Sequence, residues 1–152
     1  MSAVEVRARA ALPCTAERAF AEVADLERYP RWLRIVQVVL AAPAVDGDAG
    51  PAWWVEVGAR VGPLRRTKRL RMVQVVHEPP WRVRFERAEL DGRPHAPWTL
   101  DVSVEPSEAP AGGRVSVAME LCYGGSSWIP PLDAVLASEV RRAAGRLAAQ
   151  VA

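Results

Sequence analysis

The hydrophobic positions along the chain change period several times, and each change marks an element. Val4, Val6, Ala8 and Ala10 alternate with Glu5, Arg7, Arg9 and Ala11, the two-residue period of a strand with one face buried. Pro13 ends that strand and Thr15 stands where a helix N-cap is expected. Ala16, Ala19, Phe20, Val23 and Leu26 then recur at helical spacing, giving a short amphipathic helix. Tyr29-Pro30 breaks it, because the residue before a proline is pushed out of the helical region. Arg31-Trp32-Leu33 is left as a second short turn, and the β-branched run from Ile35 to Leu40 predicts a strand.

From there the chain is punctuated as a meander. Strands are predicted over 52–61, 66–77, 81–90, 98–105 and 114–123, separated by Asp46-Gly47-Asp48-Ala49-Gly50-Pro51, Gly62-Pro63, Glu78-Pro79-Pro80, Asp91-Gly92 and Gly112-Gly113. Asp91-Gly92 is a tight-hairpin signal. The last segment, Pro130 to Ala152, is the one stretch long enough for a helix of five turns or more. Leu132, Leu136, Val140, Ala143, Leu147 and Val151 form its stripe, and Pro130-Pro131 suit a first turn. Its many small residues, among them Ala134, Ala137, Ala144, Ala148 and Gly145, make a slim rod. That slimness fits either close contact with a sheet or space left for a bound molecule.

Runs of strands with segregated helices predict an α+β fold. A seven-stranded antiparallel sheet must cover one face, and the terminal helix is the available cover. A long twisted sheet curls around that helix, leaving a gap lined by aromatic and aliphatic side chains. A length of 152 residues suits a single domain over 1–152.

Charge changes this picture little. The net charge is +2, with basic residues crowded between Arg60 and Arg93. Arginine outnumbers lysine 19 to 1 through the whole chain, and the central arginines fall in alternating stretches where every second residue faces water. A nucleic-acid partner is therefore not expected. Cys14 and Cys122 form no CxxC and have no histidine at ligand spacing, so neither a metal nor a cofactor is expected. His77 and His95 sit beside prolines and read as turn residues. No secretory signal or membrane-spanning run is legible, and the expected setting is the cytoplasm.

The element order, with Ala16-Glu17-Arg18-Ala19-Phe20, the run from Asp25 through Tyr29-Pro30-Arg31-Trp32 to Leu33, and the Glu78-Pro79-Pro80-Trp81-Arg82 turn, resembles the START/Bet v1-like superfamily. Within it the chain is most similar to the polyketide cyclase/dehydrase and lipid-transport group. The resemblance implies a helix-grip fold with a deep apolar cavity, and members that bind or carry lipids or cyclise and dehydrate polyketide chains.

Two chemistries follow. A carrier or sensor for a small hydrophobic molecule (lipid, polyketide or isoprenoid-like) needs apolar walls, for which Trp53, Met72, Phe85, Trp98, Met119, Leu136 and Val140 are the candidates; core packing is the alternative role for each. Six tryptophans against two phenylalanines favour aromatic surfaces presented to a ligand. An aromatase/cyclase needs a dry pocket, a proton-moving group and an anchor for an enolate. Arg69 or Arg71 is the candidate anchor if its strand face turns inward, and Tyr123 or Glu56 the candidate acid or base; a solvated strand position is the alternative. A third reading is an interaction module: Trp53 and Trp54 are adjacent on a strand and point to opposite faces, so Trp54 needs cover from a loop or a second subunit in a homodimer.

Overall fold

The structure, a computed structural model, describes residues 4–107, 114–124 and 130–151, without the side chains at 61, 130–133 and 136. The order is β1 (Val4–Leu12), α1 (Ala16–Val23), a 3-10 helix (Leu26–Arg31), β2 (Val36–Ala42), β3 (Ala52–Val61), β4 (Leu64–Glu78), β5 (Arg82–Arg87), β6 (Trp98–Pro106), β7 (Val115–Tyr123) and α2 (Pro130–Val151). The seven strands form one antiparallel sheet in the order β1-β7-β6-β5-β4-β3-β2, the α+β helix-grip arrangement expected. The first and last strands pair along their length, from Val4 opposite Tyr123 to Leu12 opposite Val115.

Local chemistry explains the boundaries. The Thr15 hydroxyl accepts from the Arg18 amide at 3.2 Å and caps α1. Asp25 caps the following turn by accepting from the Glu27 amide at 3.0 Å. Register shifts between Val36 and Val38 and between Gln74 and Val76 bend the sheet. Gly62, at φ +58°, makes the tight turn between β3 and β4. The Asp91-Gly92 signal does not close a two-residue hairpin: β5 stops at Arg87 and β6 starts at Trp98. Pro94 and Pro97 have no N–H to offer a ladder, and Asp91 instead accepts from the Arg93 amide at 3.0 Å and from His95 at 2.8 Å. His77 is the end of a strand rather than a turn residue, stacked on Phe20 with ring centroids 5.5 Å apart.

The core lies between the inner face of the sheet and the helices. Val6, Leu12, Val83, Phe85, Val102, Val117 and Met119 meet Phe20 and Val23 of α1 and Val140, Ala143, Leu147 and Val151 of α2. Burial on α2 thus follows the predicted stripe, but in the described side chains it begins only at Val140: Ala134 is exposed, and Val135, Ala137, Ser138 and Glu139 are half-buried. Gly145 does not serve a close approach. It faces solvent, and a Cβ built there meets nothing within 4 Å. Gly145→Ala is therefore expected to stabilise the protein by about 0.5–1 kcal/mol, raising the melting midpoint by about 2–4 °C in a scanning calorimetry trace. An unchanged or lower midpoint would mean the helix packs differently there.

Cys14, just beyond β1, is buried, and Cys122, at the far end of the β1–β7 pairing, is half-buried; both are free thiols.

Candidate functional site

Alternation along β3 and β4 decides which side chains face α2. Trp53, Val55 and Val57 of β3 point inward, as do Leu70, Met72 and Gln74 of β4; Trp54, Glu56, Arg69 and Arg71 point to the outer face. Between the inward residues, the 3-10 helix and α2 lies a small interior void. Its walls are Leu26, Tyr29, Leu33, Ile35 and Val36 on one side, Val55, Val57, Leu70, Met72 and Phe85 below, and Trp98, Leu100, Met119, Leu121 and Val140 on the other.

The void measures about 50 Å³. That holds a water or two by volume, against roughly 300–1,000 Å³ for a ligand pocket. The deep cavity that the family resemblance implies is thus closed down among the described residues, where large rings pack against one another. Phe85 makes edge contacts to Tyr29 (6.1 Å, 85°) and Trp53 (5.7 Å, 77°), and Tyr29 packs on Trp32 at 4.4 Å.

Of the wall residues expected from sequence, Met72, Phe85, Trp98, Met119 and Val140 line the void. Trp53 stands behind Phe85, buried but outside the lining. The side chain of Leu136 lies outside the described residues. The cluster from Leu26 to Val36 was missed, although Leu26, Tyr29 and Leu33 carry a helical three- and four-residue spacing that marks an inward stripe.

The groups proposed for proton transfer or enolate binding are not brought together. Arg71 is buried on the outer face, 1% exposed, and its guanidinium is spent on the loop that follows β2. It donates to both oxygens of Asp48 at 2.7 and 3.3 Å, and to the carbonyl oxygens of Pro43 at 3.0 Å and Ala88 at 3.1 Å. These bonds, with an amide from Val45, hold the Asp48 carboxyl below its usual range. Arg69 also points outward, 4.6 Å above the Trp54 ring, so that the cover Trp54 needs is a cation within its own sheet. Glu56, paired with Arg69 in register, shares that face. Strand alternation is the reason: Leu70 and Met72 claim the inner side of β4. Tyr123 does face inward, buried and stacked on Trp98 at 4.7 Å, without reaching the void.

Among the described residues of the wall, the one hydroxyl is that of Tyr29. It donates to the Val23 carbonyl at 2.7 Å, and burial, reinforced by Glu22, drives the phenol far above its ordinary range. It holds α1 against the 3-10 helix and keeps its proton. The Gln74 amide, also inward, donates to the Ala24 carbonyl at 3.3 Å and ties the end of α1 to β4.

A larger open groove, about 500 Å³, lies on the outer face over Arg7, Arg9, Asp101, Ser103, Ala118 and Glu120. Its charges close on one another: Arg7 reaches Glu120 at 3.1 Å, and Arg82 and Arg84 reach Asp101 at 2.7 and 3.1 Å. Glu5, Glu120 and Cys122 also come together on that face, with Arg7 bridging both carboxylates. Among the described residues no helix is long and apolar enough to cross a membrane.

The chain from 3 to 152 matches the family model for polyketide cyclase/dehydrase and lipid transport. The chain belongs to this family. Solved structures agree on the fold. A Deinococcus radiodurans protein superposes with a TM-score of 0.67 at 18% identity, covering 97% of this chain and 96% of that one. A START superfamily protein from Mycobacterium smegmatis gives 0.64 at 16% identity, over 98% and 96%. The di-domain aromatase/cyclase StfQ of the steffimycin biosynthetic pathway gives 0.66 at 13% identity, over 99% of this chain and 51% of StfQ. No curated protein sequence matches. In this chain the described residues that line the void between the sheet and α2 are aliphatic or aromatic.

Proposed function

We propose that this protein binds a small hydrophobic molecule, such as a lipid, polyketide or isoprenoid, between the sheet and α2, as a carrier or sensor. The observation that carries this reading is the interior void, walled by aliphatic and aromatic groups from three directions and lying where the burial of α2 stops. The closed void is too small for such a ligand, so binding requires the half-buried part of α2 before Val140 to move outward. A ligand that loses about 300 Å² of apolar surface gains roughly 7 kcal/mol at about 25 cal/mol per Å², a driving force available to meet the cost of opening.

An aromatase/cyclase reading has less support. Among the described residues the wall offers no acid or base free to move a proton, since the Tyr29 hydroxyl is committed to Val23 and Arg69, Arg71 and Glu56 occupy the other face. A cytoplasmic setting suits two free thiols.

The neutral dye Nile red tests the proposal. Wild type is expected to take it up saturably with one site, with quenching or transfer from the buried tryptophans. Val140→Phe, which adds bulk into the void, is expected to weaken uptake about tenfold while circular dichroism stays unchanged. Absence of saturable uptake by wild type, or equal uptake by the variant, would overturn the assignment of the site.

A further inference from the structure

The inner face of β4 changes character along its length. Met72 and Leu70 wall the void; the next two residues on the same face are Lys68 and Arg66, placed opposite Val57 and Ala59 of β3. Successive same-face positions are about 6.6 Å apart, so a molecule lying along this strand passes from hydrocarbon to cations within its own length. Just outside, a notch of about 230 Å³ opens between the start of β2, the end of β3 and α2. Arg34, Gln37, Arg60, Gly58, Ala59, Val135 and Glu139 line it, together with Ile35, which is also a wall of the void. Among the described residues, Ile35 is the side chain that void and notch have in common.

Three arginines of this rim have no acid paired with them among the described residues. Arg60 stands directly opposite Arg65 in the β3–β4 ladder, a like-charge pairing that destabilises a sheet. Arg65 turns to the Gln37 amide oxygen. Arg34, Arg60 and Arg66 make no ion pair with any described residue. The acids nearby are already engaged: Glu139 is held by Arg142 at 3.1 Å and Arg146 at 3.2 Å, and Glu89 by Arg87 at 2.6 Å. No acidic residue occurs between Glu56 and Glu78.

We infer that the ligand is an amphipathic anion, whose apolar body enters the void past Ile35 and whose terminal carboxylate or phosphate is held by Arg34, Arg60 and Arg66. This rests on the hydrophobic-ligand reading and adds the ligand's charge and its direction of entry. Arginine suits the role, since its planar fork meets two oxygens of either group. The rim also orders the ligand: along the inner face of β4 the cations Lys68 and Arg66 lie at the hairpin end, so the molecule enters tail first.

Binding of dodecanoate, dodecyl phosphate and dodecanol to the full chain, followed by intrinsic tryptophan fluorescence at low and high salt, tests this. At low salt the wild type is expected to bind one or both anions about tenfold tighter than the alcohol, with the advantage shrinking as salt screens it. The tighter of the two anions identifies the headgroup. The triple variant Arg34→Gln, Arg60→Gln, Arg66→Gln, altered only at exposed positions, is expected to lose that preference and keep its affinity for dodecanol. Equal affinity of wild type for anions and alcohol, or a preference that survives in the triple variant, overturns the charged rim and leaves the hydrophobic-ligand proposal standing. Failure of all three probes to bind removes both.

Discussion

Replacing Phe85 with alanine is expected to lower the unfolding free energy by about 3–5 kcal/mol and the melting midpoint by roughly 10–15 °C. Phe85 is fully buried in the middle of β5, and its ring stands between Tyr29 in the wall of the void and Trp53 behind it. Removing it deletes two edge contacts between rings and enlarges a space that already exists, instead of leaving a hole that neighbours can close. The cavity penalty should thus fall at the high end of the range. The same change has an opposite consequence for binding. A dry apolar space enlarged by a ring accepts molecules the size of benzene, so benzene vapour is expected to raise the midpoint of Phe85→Ala and leave wild type unaffected. A loss below about 1 kcal/mol, or no response to benzene, would mean that Phe85 does not separate the packed core from the void.

Arg71→Leu is the second large effect. The guanidinium is surrounded by four acceptor contacts, two of them backbone carbonyls from separate segments, so its loss leaves Asp48, Pro43 and Ala88 without their donor at once. The midpoint is expected to fall by about 10 °C, while affinity for a hydrophobic probe at a temperature where both proteins are folded stays within about twofold. An enolate anchor inside a pocket would behave in reverse, with stability kept and ligand affinity changed. The pH dependence separates the two further. Asp48 has a folded-state pKa below its ordinary value of 3.8, so the folded protein binds fewer protons than the unfolded chain in that range. Its contribution is therefore present above pH 3.8 and is lost as the pH falls through the lower folded-state value. In Arg71→Leu this part of the acid sensitivity should shrink to what the Val45 amide still supplies, and the midpoint-against-pH curve should be flatter below pH 4 than that of wild type, while Asp91 and Asp101, also held low, contribute in both proteins.

The fold was largely legible from periodicity. Alternation placed β1, β6 and β7 within a residue or so of their observed ends, and the three- and four-residue stripe of α2 from Val140 to Val151 is the buried stripe. The site was legible only where one strand face is wholly apolar. Val117, Met119 and Leu121 of β7 and Trp98 and Leu100 of β6 have polar or small neighbours, so their inward face is unambiguous. In β4 the run Leu70-Arg71-Met72-Val73 is buried on both faces, the outer one by the loop that Arg71 itself holds down. No local pattern distinguishes an arginine buried under a loop from one turned into a cavity, because both sit at the same register among apolar neighbours.

What this chain's sequence determined by itself is the set of elements and the faces they bury, since backbone period and side-chain polarity are local properties that survive any arrangement of the parts. The helix-capping threonine and the slim terminal helix both follow in that way. Only the tertiary structure decided how much room remains inside, that Arg69, Arg71 and Glu56 look outward, and that Arg34, just before β2, and Arg60 of β3 line one notch beside the void. Those are properties of distances between segments far apart in the chain. They depend on how rings such as Phe85 and Tyr29 interlock, and on a loop anchored by a single ion pair, neither of which leaves a periodic trace.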